Sequence, residues 1–335
     1  MKKLLLFLIL LIPIKVFGID TSARSAILMD IDSNRILYEE NINEKRSVAS
    51  ISKIMTAVLA IESGKLDEYV IIGDEIDKSY GSGIYIKKGE KIKLKDLVYG
   101  LMLRSGNDAA NAIAYFVGKE KFVEMMNKKA EEIGMKNTTF NNPSGLDEEE
   151  GNYSTAYDMA ILTSYAMKLI DFQEIVGTKN YYLKTNKNTY YWINKNKLLF
   201  TYNYTTGGKT GFTVKARRTL VTTASKDNLN LVVVTLNDGN DFKDHRDLFE
   251  YGFNNYTNIK LLNNGVLDIK TNELYNDYKL EILNNFNYPI SNEDKVLINY
   301  KLYKEPIVGK TGYIDILLNN KVIHKEIIYG ELNGK

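Results

Sequence analysis

Ala49-Ser50-Ile51-Ser52-Lys53-Ile54-Met55-Thr56 is the most informative segment of this 335-residue chain. Apolar residues from Ile51 onward recur at helical spacing, so the segment predicts a helix that starts near Ser50. At about 100° per residue, Ser50 and Lys53 share a face one turn apart, and the lysine amine can reach the serine hydroxyl. A serine nucleophile that has no histidine partner needs this arrangement. Taken alone, an N-cap serine followed by a solvated lysine explains the segment better, so further motifs must decide.

Charged residues almost balance, with 44 lysines and arginines against 42 aspartates and glutamates and a net charge of +2. This balance argues against nucleic acid as a partner. The chain has no cysteine, which excludes disulfides, thiolate metal ligands and a cysteine nucleophile. With His245 and His324 as the only histidines, we expect no metal site and no other cofactor. His245 lies in a charged segment and is predicted to be solvated on a helix face.

The first 18 residues have the pattern of a secretory signal peptide. Lys2 and Lys3 precede an uncharged apolar run over residues 4–12, and Gly18 offers a small residue near the expected cleavage point. The run is shorter than the ~20 residues that a membrane-spanning helix needs. We therefore expect an exported protein, in the periplasm or at the outer face of the cytoplasmic membrane.

A second motif, Ser105-Gly106-Asn107, lies between two predicted helices over residues 96–103 and 108–117. A tight loop between helices can direct two polar side chains toward one point. Gly106 is predicted to adopt a backbone conformation that other residues resist. Taken alone, a helix-capping serine with turn residues explains this loop better than a catalytic role does.

A third motif, Lys209-Thr210-Gly211-Phe212, precedes two strand-like runs at residues 219–224 and 229–236. The motif is therefore predicted on an edge strand of an antiparallel sheet. Gly211 on such a strand would let a ligand backbone approach closely.

The composition changes from about residue 259, where helical periodicity fades and short Asn-rich strands appear. This change predicts a small all-β domain over residues 259–335. The domain contains a second copy of the strand motif, Lys310-Thr311-Gly312, which we interpret as a loop leading into an edge strand.

The three motifs occur in the order that is typical of the penicillin-recognising serine enzymes: S-x-x-K, then S-x-N, then K-T-G. Over residues 22–257 the chain resembles the serine D-alanyl-D-alanine carboxypeptidases, the low-molecular-mass penicillin-binding proteins. The matching segments are residues 47–56, 99–111, 142–146, 154–158 and 209–213. Two departures leave every catalytic atom in place: Thr206-Gly207 stands where the family usually has Asp-Gly, and Val48 where it often has proline.

The resemblance implies an α/β (α+β) fold of the penicillin-binding and serine β-lactamase type, in which an antiparallel sheet packs with a helical region. The chain then divides into a signal peptide at residues 1–18, a catalytic domain at 19–257 and a small C-terminal all-β domain at 259–335. Many members end in an amphipathic membrane helix, and residues 331–335 lack that pattern. The sequence leaves membrane contact and oligomeric state open.

The resemblance also implies roles for the motif residues in removing the last D-alanine from peptidoglycan stem peptides. Ser50 would be the nucleophile, Lys53 its base and Ser105 a proton relay to the leaving amine. The lysine pKa must fall from about 10.4 for Lys53 to act, and burial beside a second cation, Lys209, would lower it.

The remaining motif residues would bind the substrate. Asn107 would hold a substrate amide, and Lys209, Thr210 and Gly211 would form the site for the terminal carboxylate. The backbone N–H groups of Ser50 and Phe212 would stabilise the oxyanion. β-Lactam antibiotics would acylate Ser50 and stay attached.

Three alternatives remain at this stage. A β-lactamase or a peptidoglycan DD-endopeptidase could use the same residues, although no convincing deacylating glutamate is evident. A non-catalytic cell-wall binding protein is the third alternative. The intact set of six motif side chains argues against it, because an inactive relative has no chemical need to keep them all.

Overall fold

A computed structural model describes residues 19–147, 151–269, 273–305 and 309–332. The predicted signal peptide, residues 1–18, lies outside the described residues. None of the helices in the described ranges combines the length and the hydrophobicity of a transmembrane helix.

Eight α-helices are present in the described ranges, and several of them were expected from hydrophobic periodicity. Their bounds are α1 Lys53–Glu62, α2 Leu94–Arg104, α3 Asn107–Val117, α4 Phe122–Glu132, α5 Ala156–Ala166, α6 Ile170–Gly177, α7 Leu198–Thr201 and α8 Asp241–Asn255. The predicted helices at residues 96–103 and 108–117 correspond to α2 and α3 and are confirmed.

Strands make up the rest of the regular structure in the described ranges. Their bounds are β1 Ala23–Asp30, β2 Ile36–Glu40, β3 Arg46–Ser47, β4 Tyr69–Ile71, β5 Lys91–Lys93, β6 Tyr153–Ser154, β7 Asn180–Lys184, β8 Thr189–Ile193, β9 Thr205–Thr213, β10 Arg217–Lys226, β11 Leu229–Asp238, β12 Tyr256–Leu262, β13 Gly265–Val266, β14 Tyr278–Ile282, β15 Phe286–Ser291, β16 Val296–Leu302, β17 Gly309–Leu318 and β18 Lys321–Leu332.

A five-stranded antiparallel sheet in the order β2-β1-β11-β10-β9 forms the centre of the N-terminal part. Successive side chains of a strand point to opposite faces, and both faces are covered here. Ile27 packs in the large cluster with the α1–α6 region, while its neighbour Leu28 packs with Phe249 of α8. The predicted antiparallel sheet and the edge position of the Lys209 strand are both confirmed.

Residues 180–204, which the sequence alone leaves undecided, contain the hairpin β7–β8 and the short helix α7. Alternate aromatic side chains of the hairpin turn toward α2. Tyr181 stacks on Tyr99 with ring centroids 3.8 Å apart, and Trp192 is buried beside it. This packing places the segment that follows the hairpin close to the second motif.

The C-terminal part forms its own five-stranded sheet in the order β13-β14-β18-β17-β16, together with the pair β12–β15. A separate hydrophobic cluster, which includes Ile314, Ile316 and Ile328, fills it. The predicted all-β character is confirmed. The interpretation of Lys310-Thr311-Gly312 as a loop before an edge strand is wrong, because these residues lie within β17, between β18 and β16.

The prediction that His245 is solvated is also wrong, because α8 packs this side chain against the central sheet. The imidazole is fully buried, with Nδ1 2.6 Å from the Thr222 hydroxyl and Nε2 3.0 Å from the Thr235 hydroxyl. Burial lowers the pKa of His245 to about 3, so the ring is neutral. Its role is in the packing of α8.

Candidate active site

Ser50 lies in a 3₁₀ turn, Ala49–Ser52, and α1 begins at Lys53 rather than at Ser50. Ala49 has a φ of 49°, a conformation that is uncommon for a residue other than glycine. Gly145 packs against this turn so closely that a Cβ there would lie 2.1 Å from the Ala49 carbonyl oxygen. The nucleophile candidate is therefore held in a tight turn that its surroundings support.

The fully buried Lys53 amine has three hydrogen-bond partners: Ser50 Oγ at 3.1 Å, Asn107 Oδ1 at 2.7 Å and the Ser144 carbonyl oxygen. Asn107 must present its oxygen to Lys53, because its Nδ2 donates to the Tyr80 carbonyl, which can only accept. Of the three partners, only the Ser50 hydroxyl can donate a hydrogen bond. When Lys53 is neutral, its lone pair must therefore face Ser50.

Lys53 can lose its proton near neutral pH, because its pKa is lowered to about 7. Burial is the largest cause, the cation of Lys195 adds to the decrease, and the Asp108 carboxylate opposes both. The sequence prediction of a depressed pKa is confirmed. Lys195, a cation that the sequence did not point to, acts on Lys53. Lys209 is a further neighbouring cation, and Lys53 and Lys209 each disfavour the charged form of the other.

Ser105 and Asn107 flank the junction between α2 and α3. Ser105 itself adopts the left-handed conformation, with φ 64°, whereas Gly106 has an ordinary φ of −61°. The prediction that Gly106 supplies the unusual backbone is therefore wrong. Glycine suits this position because space is short: a Cβ would lie 2.9 Å from Asp108 Oδ1 and 3.1 Å from a methyl group of Ile84.

Lys209 reaches from β9 to the second motif. Its amine donates to Ser105 Oγ at 3.0 Å and to the Thr210 carbonyl oxygen at 2.6 Å. Burial lowers the pKa of Lys209 well below its usual value, and the cations of Lys53 and Lys195 add to this. A bound anion would be a favourable partner for this buried amine.

The third motif passes very close to the nucleophile turn at Gly211. A Cβ on Gly211 would lie 3.1 Å from the backbone nitrogen of Ser50 and 2.3 Å from Thr219 Oγ1. Only glycine leaves room for β9 at this distance. The backbone N–H groups of Ser50 and Phe212 therefore lie on neighbouring elements.

A cleft of about 310 Å³ opens over these residues. Its walls bring together residues from all three motifs with five residues that the motifs do not include. The lining residues are Ser50, Ser82, Ser105, Lys195, Thr210, Gly211, Phe212, Arg218, Asp241 and Phe242.

A family model for D-alanyl-D-alanine carboxypeptidases, Peptidase S11, matches residues 14–240, more than half of the chain. The chain belongs to this D-alanyl-D-alanine carboxypeptidase family. It is 40% identical over 220 residues to the carboxypeptidase DacF of Bacillus subtilis strain 168, which covers 63% of this chain and 56% of DacF. It is 34% identical over 248 residues to DacC of Escherichia coli K12, with 69% of this chain and 61% of DacC covered. The chain therefore spans less than two thirds of the length of these relatives.

Solved structures agree with the family assignment. Penicillin-binding protein 5 from Haemophilus influenzae superposes with a TM-score of 0.80 at 27% identity, covering 95% of this chain and 99% of the other. An R248L mutant of the Streptomyces K15 DD-transpeptidase has a TM-score of 0.68 at 30% identity, covering 70% of this chain and 99% of the other. The predicted penicillin-binding fold is confirmed.

In this carboxypeptidase-family chain, sequence reasoning missed the extra charges of the cleft. Lys195 follows the β7–β8 hairpin, and its amine lies 3.3 Å from Ser82 Oγ. Arg218 forms an ion pair with the buried Asp241, with Nε 3.0 Å from Oδ2. Neither Lys195 nor the Arg218–Asp241 pair lies in a recognisable motif. The one signal in the sequence is that Arg218 closely follows the third motif.

Asp147 connects the two elements that carry the candidate oxyanion donors. Its Oδ1 accepts from Ser47 Oγ at 2.6 Å, and its Oδ2 accepts from Thr213 Oγ1. Ser47 lies three residues before Ser50, and Thr213 directly follows Phe212. The carboxylate thereby links the nucleophile turn to the end of β9. A further hydrogen bond, from Thr219 Oγ1 to the Val48 carbonyl at 3.0 Å, joins β10 to the residue before the turn.

Proposed function

We propose that this protein is an exported serine-type D-alanyl-D-alanine carboxypeptidase that acts on peptidoglycan stem peptides. Ser50 forms the acyl-enzyme, and β-lactam antibiotics acylate the same hydroxyl. The observation that carries the proposal is the hydrogen bond between Ser50 and the buried Lys53, whose other two partners can only accept. That arrangement supplies a base for the hydroxyl at neutral pH.

In the acylation step, Lys53 removes the Ser50 proton while Oγ attacks the carbonyl carbon of the penultimate D-alanine. The resulting oxyanion accepts hydrogen bonds from the backbone N–H groups of Ser50 and Phe212. Each donor of this kind typically contributes about 3 kcal/mol to transition-state stabilisation. The narrow gap at Gly211 supports this assignment, because it brings β9 against the nucleophile turn.

The peptide C–N bond then breaks, and its nitrogen needs a proton to leave as D-alanine. Ser105 relays to it the proton that Lys53 took from Ser50, and the Lys209 amine, which donates to Ser105 Oγ at 3.0 Å, orients the relay hydroxyl. Water afterwards attacks the ester, which regenerates the Ser50 hydroxyl and releases the shortened peptide. A β-lactam has a tethered leaving group that blocks this second half of the cycle.

Substrate recognition rests on the positive charge of the cleft. Lys209, Thr210 and Gly211 receive the carboxylate of the terminal D-alanine, and Asn107 holds an amide on the acyl side. A carboxylate next to Lys209 raises the pKa of that amine again, because an opposite charge favours the protonated form. Substrate binding would therefore restore the charge on Lys209 that burial disfavours.

The proposal includes the division of the chain: a signal peptide at residues 1–18, a catalytic domain at 19–257 and a small β domain at 259–335. The separate hydrophobic cluster of the C-terminal sheet supports the second boundary. The charged and apolar pattern of the first 18 residues supports export to the periplasm or the outer face of the cytoplasmic membrane.

The test is intact-protein mass spectrometry after minutes with benzylpenicillin, for the mature chain and for Ser50→Ala. A mass increase of one whole penicillin in the wild type alone, together with D-alanine release from a synthetic pentapeptide, is the expected result. Rapid loss of the drug with unmodified protein would instead identify a β-lactamase. Cleavage of cross-linked dimers without D-alanine release would identify an endopeptidase, and no reaction at all would favour a binding protein.

A further inference from the structure

The outer face of the β7–β8 hairpin carries an exposed pair of tyrosines. Tyr182 and Tyr191 stand directly opposite each other in the antiparallel register, and they are 65% and 64% exposed. Within the described residues, neither ring packs against another aromatic ring and neither hydroxyl has a hydrogen-bond partner. Two large side chains thus present free ring faces and free phenol groups side by side.

The opposite face of the hairpin holds this pair in place. The inward-facing Tyr181 donates from Oη to Asp96 at 2.5 Å, and the inward-facing Tyr190 donates from Oη to the buried Glu90 at 2.9 Å. The stacking of Tyr181 on α2 adds to these bonds. The outer face is therefore preorganised, and a ligand need not order it on binding.

Polar side chains flank the tyrosine pair on the same face of the hairpin. Lys184 is paired with Thr189 on one side of it, and Asn180 is paired with Ile193 on the other. An amine, a hydroxyl and a side-chain amide therefore stand next to the two rings. We call this surface the hairpin face, and its residues are Asn180, Tyr182, Lys184, Thr189, Tyr191 and Ile193, all exposed.

The Ile193 end of the hairpin face lies beside the active-site cleft. Lys195 is two residues further along and lines the cleft, and two residues of chain span at most about 7 Å. The Ile193 carbonyl also accepts a hydrogen bond from Arg104 Nη1 at 3.0 Å, and Arg104 directly precedes Ser105. The hairpin face and the cleft are therefore neighbouring parts of the protein surface.

The acyl side of the proposed cleft is the side next to the hairpin. Asn107, which is proposed to hold the amide there, donates its backbone N–H to the Ser82 carbonyl at 2.8 Å. The Lys195 amine lies 3.3 Å from Ser82 Oγ. The part of a stem peptide that precedes the D-alanines thus leaves the cleft near Lys195. Five extended residues span at most about 18 Å, which brings the sugar chain at the other end of the peptide within reach of the hairpin face.

The side chains of the hairpin face suit a sugar polymer. A pyranose ring has a face of C–H groups with partial positive charge, which packs against the negative face of an aromatic ring. Its hydroxyl and N-acetyl groups need hydrogen-bond partners, which Asn180, Thr189 and the two phenols supply. A lipid surface would instead favour a continuous apolar face, and here polar side chains border the tyrosines on both sides.

We propose that the hairpin face binds the glycan strand of peptidoglycan and holds it while the attached stem peptide reaches Ser50. This inference rests on the proposed function, because the path of the peptide follows from acylation at Ser50. The hairpin face makes the enzyme selective for stem peptides that are attached to glycan, while the three motifs recognise the D-alanines.

The test compares D-alanine release from a free pentapeptide and from a peptidoglycan tetrasaccharide that carries the same pentapeptide. We expect the wild type to have a higher kcat/KM for the glycan-linked substrate. The double variant Tyr182→Thr/Tyr191→Thr should lower that kcat/KM about tenfold, which corresponds to about 1.4 kcal/mol. It should leave the free pentapeptide and acylation by benzylpenicillin unchanged. Threonine is used because it favours strands, and Tyr182→Phe/Tyr191→Phe, which keeps the rings, should retain most of the preference.

Tyr300→Thr, at an exposed tyrosine of β16 in the C-terminal sheet, is the matched control and should leave both substrates unchanged. A ratio of the two kcat/KM values that stays within twofold of the wild type in the double threonine variant would overturn the inference. An equal loss for both substrates would also overturn it, because the hairpin would then act by positioning the cleft.

Binding measurements with the peptide-free tetrasaccharide and with vesicles of anionic phospholipid complete the test. We expect the wild type to bind the tetrasaccharide and the double threonine variant to bind it about tenfold more weakly. Binding to the vesicles alone, lost in the same variant, would identify a membrane surface and overturn the inference. If the wild type neither releases D-alanine nor reacts with benzylpenicillin, the proposed function has failed, and tetrasaccharide binding, which needs no catalysis, then decides whether the hairpin face binds glycan.

Discussion

The pKa of Lys53 predicts how acylation by benzylpenicillin depends on pH. With a pKa of about 7, about half of the Lys53 side chains are neutral at pH 7, about one in eleven at pH 6 and about one in a hundred at pH 5. At the ordinary value of 10.5, only about one in 3,000 would be neutral at pH 7. The second-order acylation rate constant should therefore be constant above about pH 8 and fall about tenfold per pH unit below pH 6.

The variant Lys195→Gln separates the effect of a neighbouring charge on the pKa of Lys53 from the effect of burial. Removing this cation leaves Lys53 buried but takes away the second cause of its low pKa, so the pKa rises and the acid limb moves to higher pH. For each pH unit by which the midpoint of the profile rises, the acylation rate constant at pH 6 falls about tenfold, while its plateau value at alkaline pH is unchanged. A change in drug binding alone would instead lower the plateau and leave the midpoint in place.

Stopped-flow acylation kinetics between pH 5 and 9 measure both quantities. Lys121→Gln, which removes one exposed lysine next to α4, controls for net charge and should behave as the wild type. Two results would refute the reasoning: a wild-type midpoint above pH 9, or a Lys195→Gln midpoint that is unchanged or lower. The first would mean that burial does not lower the pKa of the base, and the second that Lys195 does not act on it.

Three further predictions concern packing around the site. Gly211→Ala should slow acylation at least a hundredfold, because its Cβ would lie 2.3 Å from Thr219 Oγ1 and close to the Ser50 amide; wild-type rates in a burst assay would contradict this. Asp147→Ala should slow acylation about tenfold by releasing the Ser47 and Thr213 hydroxyls, and an unchanged rate in a folded variant would exclude that role. His245→Gln should reduce acid lability. The pKa of His245 is about 3 in the folded protein against 6.5 in the unfolded chain, so the free energy of unfolding of the wild type falls as the pH drops below 6.5. Urea unfolding at pH 7 and pH 4 should show that the variant loses about 3 kcal/mol less of this free energy than the wild type. Equal losses would contradict the burial argument.

The elements that carry the motifs could be predicted because their signals are local. Each signal spans only about ten residues: helical spacing after Ser50, a tight junction before Asn107 and alternating runs after Gly211. The prediction that the motifs form one site came from the resemblance to the penicillin-recognising serine enzymes. The structure places residues of all three motifs in the walls of one cleft.

The features that the sequence did not reveal depend on contacts between distant segments. His245 looks solvated among its charged neighbours, yet the face of α8 that meets the sheet buries it against Thr222 and Thr235. Lys195 acquires its role only because the β7–β8 hairpin packs on α2 and ends beside Ser82. The second copy of the strand motif, Lys310-Thr311-Gly312, has its glycine for a packing reason. A Cβ on Gly312 would lie 2.2 Å from the Lys301 carbonyl oxygen of β16, so the glycine lets the two strands approach.

The charge balance of the cleft gives a physical reason why the proposed enzyme would prefer a chain end to an internal peptide bond. A fall in the pKa of Lys53 from 10.5 to about 7 corresponds to roughly 5 kcal/mol of lost stability for its charged form, and Lys209 is disfavoured in the same way. Lys195 adds positive charge beside both. A terminal carboxylate recovers part of this energy when it binds, because it supplies the missing negative charge next to Lys209. A peptide bond inside a chain has a neutral amide in place of that carboxylate, so the positive charge of Lys53, Lys195 and Lys209 would favour a chain end in the proposed enzyme.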